Sequence, residues 1–461
     1  MKQKAIIFVI MMLVLSISLS SCAPYKSVYD SEGGEWCLGF GFEEIELPLE
    51  SDEPLYIAGY NNGKEIEGVL DLPQAKALWI DNGATGVLLI GVDCVGLGSG
   101  TVERIRNGLS DFCREVKCAS VNVYATHTHA GIDTLGLWGP VAIDGKNTQY
   151  MENLVSAAID SAKKAYDDRS VGRLYYGSTE PKNLLKDSRE PIEYDPILHQ
   201  IRFDSEDTSK NGIRLISYSA HAESLRGDNL LLSADFPSVL AQKIKSACAD
   251  DVMYMPSAIG GLIMTRELTE PFVATENMRL TAQRLASSAL SVKNEIELES
   301  SLAFSSVDID IPLDNTYFFF AKFLGILDNE IKRGKSETGY VLKSELGVLK
   351  LGSVTFALIP GEIFPELVSG NGLGEGDPEA LYSIAERYGE EKLLVLGLCN
   401  DELGYIVPPS NFRLNEELPY IETVTDKSGE NHYEETNSVS IQMAEIVAEA
   451  FEKALGKLKD K

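Results

Sequence analysis

The sequence predicts an α/β fold, with α+β as the close alternative, built of large mixed β-sheet layers covered by helices. Three observations predict it. Short apolar runs rich in β-branched residues alternate with longer segments whose apolar residues recur at helical spacing. At 44% hydrophobic and 24% charged, a chain of 461 residues can bury a large core. No long Pro/Gly/Ser linker interrupts it after the start, so one domain spanning 38–461 is expected.

The first 21 residues read as a separate object. Lys2 and Lys4 precede an apolar run, Ala5 to Leu15, too short to span a bilayer. Leu19-Ser20-Ser21-Cys22 then resembles a bacterial lipobox, after which Cys22 becomes a lipid-modified N-terminus anchoring the chain outside the cytoplasm. Residues 22–37, with the run Ser31-Glu32-Gly33-Gly34, are expected to form a tether.

The elements follow in order. Val87 to Val92 is a buried strand by its continuous apolar run. Ile105, Leu109, Phe112 and Val116 give a helix over 102–116. Strands are expected at 120–125, 173–176, 213–219, 302–311, 354–359 and 393–398. Helices are expected at 150–166, 236–249, 275–292 and 438–458. The 236–249 helix carries Pro237 in its first turn and Asp235 as N-cap. Six cysteines remain beyond Cys22, without CxxC spacing; Cys94 reads as a buried thiol, and only Cys113 and Cys118 are close enough to suggest a local bridge.

Charge excludes one class of partner. The 41 Lys+Arg stand against 70 Asp+Glu, a formal net charge of −29, so nucleic acid is not expected and anionic lipid head groups exert no broad pull.

Candidate chemistry gathers at strand ends. Histidine is scarce, and two of five lie in Thr126-His127-Thr128-His129 after the strand at 120–125. In extended chain, residues i and i+2 face the same side, which suits a metal ligand plus a group touching bound water or substrate. Two polar surface histidines at a loop start is the other reading. His221, in Ser219-Ala220-His221-Ala222-Glu223-Ser224, also follows a strand. Glu362, in Ile359-Pro360-Gly361-Glu362, reads as a carboxylate ligand or as a helix N-terminal acid. Gly397 to Gly404 is a glycine-bounded turn presenting Tyr405. His199 reads as structural, and Trp138 as either a pocket wall or core.

Taken in order, Thr-His-Thr-His-Ala-Gly, the His221 segment running into Leu-Ser-Ala-Asp-Phe-Pro, Ile-Pro-Gly-Glu, and Gly-Leu-Cys-Asn-Asp-Glu-Leu-Gly-Tyr-Ile-Val-Pro resemble the neutral/alkaline non-lysosomal ceramidases from about Gly39 to Val407. The resemblance implies a Zn2+ site of His127, His221, Glu362 and Tyr405. It implies that His129 and Arg189, the latter matched on the arginine alone, contact the substrate or its oxyanion. A metal so held lowers the pKa of its water and polarises an amide carbonyl. The implied activity is zinc-dependent amide hydrolysis on a small-molecule or lipid amide, at a membrane reached through the Cys22 anchor.

Three departures qualify it. Gly261-Leu262-Ile263-Met264-Thr265 stands where the family has a serine segment, the chain leaves no room for the family's C-terminal β-sandwich, and the residues after Tyr405 differ. Asn431-His432-Tyr433-Glu434-Glu435 is the candidate replacement lining. A non-catalytic or differently specific lipoprotein on a degenerate ceramidase scaffold is therefore the alternative.

Overall fold

The computed structural model describes residues 28–459 apart from 51, 428 and 430. The signal segment 1–21 and Cys22 lie outside these residues. Among these residues, eight helices and fifteen of the twenty-three strands carry the architecture. The strands are β1 (Val28–Glu32), β2 (Trp36–Glu44), β3 (Gln74–Asp81), β4 (Gly86–Val92), β5 (Cys118–Ala125), β6 (Ser170–Thr179), β7 (Leu198–Ser205), β8 (Ile213–Tyr218), β9 (Asp251–Pro256), β10 (Ser301–Pro312), β11 (Tyr340–Leu351), β12 (Val354–Leu358), β13 (Glu362–Ile363), β14 (Leu393–Leu396) and β15 (Tyr405–Ile406). The helices are α1 (Ser99–Val116), α2 (Thr148–Asp168), α3 (Phe236–Cys248), α4 (Ala274–Leu290), α5 (Thr316–Phe323), α6 (Pro365–Ser369), α7 (Leu381–Arg387) and α8 (Met443–Lys459).

Two mixed sheets result. The larger runs β9-β8-β7-β6-β2-β3-β4-β5, and the smaller β1-β10-β11-β12-β14. The pairs β8/β9, β4/β5 and β12/β14 are parallel, and their neighbours antiparallel. The sheets pack face to face: Leu78, Ile80, Leu89 and Phe203 of one meet Phe304, Leu349, Phe356 and Leu396 of the other. Alternate residues of the same strands point outward. Ala77, Trp79, Leu88 and Ile90 thus pack under α1 and α2, and Ile216 and Tyr254 under α3 and α4. Val307, Ile309 and Val348 of the smaller sheet pack under α8. The order is helix, sheet, sheet, helix. A strand buried on both faces must be apolar at every position, which is why β4 reads Gly-Val-Leu-Leu-Ile-Gly-Val.

Several expectations shift. Val28–Glu32, placed in the tether by sequence, pairs with Ser301–Ser305 as an edge strand. The last helix starts at Met443 rather than Ser438, because the Val439 carbonyl accepts from Asp314 and Asn315 N–H groups and holds that stretch extended. Asp235 caps α3 as expected, accepting from Phe236 N–H. Cys94, Cys113 and Cys118 are buried and form no disulfide, and the Cys113 and Cys118 thiols meet.

Candidate metal centre

Four segments converge at one end of the sheets. The first leaves β5 through Thr126-His127-Thr128-His129. The chain is not extended at this point. His127 has φ of 61°, in the left-handed region, so the rings meet through a turn and not through strand alternation. Their centroids lie 4.8 Å apart. The second leaves β8. The His129 N–H donates to the Ala222 carbonyl and Thr128 bridges Ala222, which ties the two histidine segments together. The third and fourth are β13 and β15, whose pairing sets Glu362 beside Tyr405. Gly404 precedes Tyr405 at φ of 75°, and a Cβ there would lie 1.7 Å from the Asn437 carbonyl oxygen, so only glycine fits.

The donor atoms are oriented by the backbone. The His127 Nδ1–H donates to the Val95 carbonyl at 2.5 Å, and the His221 Nδ1–H to the Ile263 carbonyl at 2.7 Å. A carbonyl only accepts, so each ring carries a proton on Nδ1, which leaves Nε2 as the atom turned toward any cation held there. Those Nε2 atoms lie 3.3 Å (His127) and 3.0 Å (His221) from Glu362 Oε2. His129 Nε2 lies 3.2 Å from His127 Nε2, and the three imidazoles offer nitrogens within 4.8 Å of one another. Two inward Nε2 atoms and a carboxylate oxygen, all buried, with the partly buried His129 imidazole beside them, fit a divalent cation. Ile263 lies in the segment that departs from the ceramidase pattern, and its carbonyl performs this orienting task.

Electrostatics agree with the geometry. Burial raises the Glu362 carboxyl, but His127 and His221 outweigh it and hold the group below the ordinary carboxylate range. Burial lowers His221, and the bond and charge of Glu362 reverse this and raise it. His129 is lowered well below the usual value, first by burial and then by His127 and His221, so it is neutral at pH 7. Burial and the Glu362 charge push the Tyr405 phenol well up.

A cavity of about 340 Å³ opens over this group. His127, His129, Glu362 and Tyr405 line it on the polar side, and Leu135, Leu137, Trp138, Leu327 and Leu342 on the apolar side. Trp138 is thus a wall of the pocket. His221 lies behind Glu362, fully buried.

Arg189 does not join them. It is absent from the cavity wall, and its guanidinium pairs with Glu434 at 2.8 Å and Glu435 at 2.9 Å. Its place is behind the wall, anchoring the 3-10 turn Glu434–Asn437, next to which Tyr433 lines the cavity. Of the segment at 431–435, Tyr433 alone lines the cavity. His199 bonds the Tyr176 hydroxyl at 2.9 Å and lies 3.3 Å from Asp195, outside the centre.

Three residues with no role assigned from sequence belong to the site. Glu223 Oε2 accepts from the Tyr60 hydroxyl and lies 3.7 Å from His129 Nδ1. Glu402 lines the cavity, and burial followed by the Glu362 charge raises it well above the carboxylate range. Glu223 and Glu402 sit inside motifs already legible in the sequence. Tyr60 lies in a loop about 70 residues before His129, and no local pattern marks it.

Fold and site together define a four-layer α/β protein with a buried His/His/Glu centre able to hold a metal ion. Among the solved structures that share this fold are two ceramidases. Neutral ceramidase from Pseudomonas aeruginosa superposes with a TM-score of 0.70 at 14% identity, over 93% of this chain and 75% of that one. A ceramidase complexed with C2 superposes with a TM-score of 0.68 at 15% identity, over 92% and 75%. The sequence matches no family model and no curated protein.

Proposed function

We propose that the protein is a zinc-dependent amidohydrolase of the ceramidase type, cleaving an N-acyl amide. One observation carries the reading: His127 and His221 turn their Nε2 atoms toward Glu362 Oε2 at the floor of a half-apolar cavity, each ring locked by a backbone carbonyl. The shared fold with the two ceramidases supports the substrate class. His127, His221 and Glu362 would hold the ion, with Tyr405 beside them. Bound zinc supplies Lewis acidity toward the amide carbonyl and acidifies water.

The chain's own residues do the rest. Neutral His129, in the cavity wall beside His127, is placed to hydrogen-bond the oxygen that gains charge as the carbonyl is attacked. Glu223 fixes Tyr60 beside that ring. Gly59 leaves room for it, since a Cβ there would lie 2.6 Å from His129. Leu135, Leu137, Leu327 and Leu342 hold the acyl chain and exclude water. Arg189 acts through the 434–437 turn rather than on the oxyanion.

The anchor completes the proposal: export followed by acylation of Cys22 holds the enzyme at a membrane on the extracytoplasmic side. The test is a zinc-to-protein ratio measured together with hydrolysis of a panel of acyl amides and esters. One zinc per chain and amide cleavage, both lost in H127A and H221A, are expected. Zinc-free protein whose properties H127A and H221A leave unchanged would overturn the reading in favour of a non-catalytic scaffold.

A further inference from the structure

The rim of the cavity carries an apolar face that the site chemistry does not use. Helix α5 reads Thr-Tyr-Phe-Phe-Phe-Ala-Lys-Phe. Phe318 and Ala321 bury into the core, and Phe319 packs on Tyr340. The opposite face, where a surface helix ordinarily carries polar residues, shows Tyr317, Phe320 (62% exposed), Phe323 (59%) and Leu324 (61%) at i, i+3, i+6 and i+7. Beside it, the loop after Trp138 exposes Val141 (88%) and Ile143. The Lys146 ammonium donates to the Ile326 carbonyl and joins the two segments. Both border the cavity, one through Leu137 and Trp138, the other through Tyr317, Phe318 and Leu327.

We infer that this rim docks on a lipid bilayer and opens the cavity directly onto the membrane surface. Three features favour a bilayer over other occupants. Exposed aromatic and aliphatic side chains on a helix with little free charge suit the head-group boundary. Its basic neighbours Lys322 and Lys146 are tied to the Leu327 and Ile326 carbonyls, so the contact is apolar and not electrostatic. The third is the direction of the chain. Val28 pairs with Ser305 and Glu32 with Ser301, so the N-terminal end of β1 points toward the Pro312 end of β10, the end that leads into α5. Cys22 lies six residues before Val28, a reach of at most about 20 Å. An anchor at Cys22 and the α5 rim therefore address the same side of the molecule. The inference extends the anchored-hydrolase reading, but its test needs no activity.

The test uses the full chain carrying C22S, so that acylation cannot supply the binding, and zwitterionic phosphatidylcholine vesicles. Flotation with the vesicles, little changed by salt, is expected. F320S/F323S lie outside the cavity lining and should lower partitioning roughly ten-fold or more, with the thermal melt and cleavage of a short water-soluble amide unchanged. Brominated lipid should quench Trp138, which lies at the rim, and leave the buried Trp36 and Trp79 unquenched. Equal flotation of C22S and C22S/F320S/F323S would overturn the inference. So would a dimer that F320S/F323S dissociates, which would make the face a contact between copies.

Discussion

Replacing Glu362 by Gln tests the centre most directly. The change is isosteric, so it opens no cavity; it removes one negative charge. In the structure that charge lies 3.0 Å from His221 Nε2 and 3.3 Å from His127 Nε2, and all three groups are buried. At an effective dielectric of about 20, a unit charge at this separation from the carboxylate gains about 5 kcal/mol. The amide oxygen recovers part of this by its dipole. Even groups one step removed from a metal change its affinity about 10- to 100-fold, so loss of this charge should weaken zinc binding by at least about 100-fold. Competition against a chromophoric chelator measures it, with H199A as the control, since His199 sits at Tyr176 and Asp195 away from the centre. Wild-type zinc affinity in E362Q, with a wild-type melt, would refute the assignment.

Three further predictions follow from buried charge and burial. R189M leaves Glu434 and Glu435 without their partner and should cost about 3–5 kcal/mol in denaturant unfolding; a turnover loss with unchanged stability would instead place Arg189 in the chemistry. Burial raises Asp187 and Asp235 to about 6, Asp401 to about 7 and Glu366 to about 8. The native state then keeps protons that the unfolded chain has lost, so this stability is complete below about pH 4 and disappears as pH rises toward 8. With metal chelated throughout, the melting temperature should be higher at pH 5 than at pH 8, and the reverse order would contradict the burial of these groups. A thiol reagent should label exposed Cys248 first and reach Cys94, Cys113, Cys118 and Cys399 only on unfolding; failure of Cys113 and Cys118 to react in denaturant without reductant would reveal a bridge.

The sequence by itself determined the element types and the chemistry they carry. Runs such as Val87 to Val92 must be strands buried on both faces, because no other element hides six consecutive small and apolar residues so economically in chain length. His127, His221, Glu362 and Tyr405 were legible because each sits just past an apolar strand, where a sheet delivers its site residues. Local pattern stops there. Whether β10, β11, β12 and β14 extend the first sheet or form a second depends on pairings up to hundreds of residues apart, as between β1 and β10. The turn at His127, the Val95 and Ile263 carbonyls that orient the rings, and the entry of Tyr60 and Glu223 are likewise contacts across the fold. Arg189 shows the limit most plainly: a conspicuous arginine in sequence, its charge taken by two carboxylates about 245 residues away, which only tertiary packing brings to it. Hydrophobic period is a property of neighbours along the chain, while the partner of a buried charge is set by whatever the folded chain places against it.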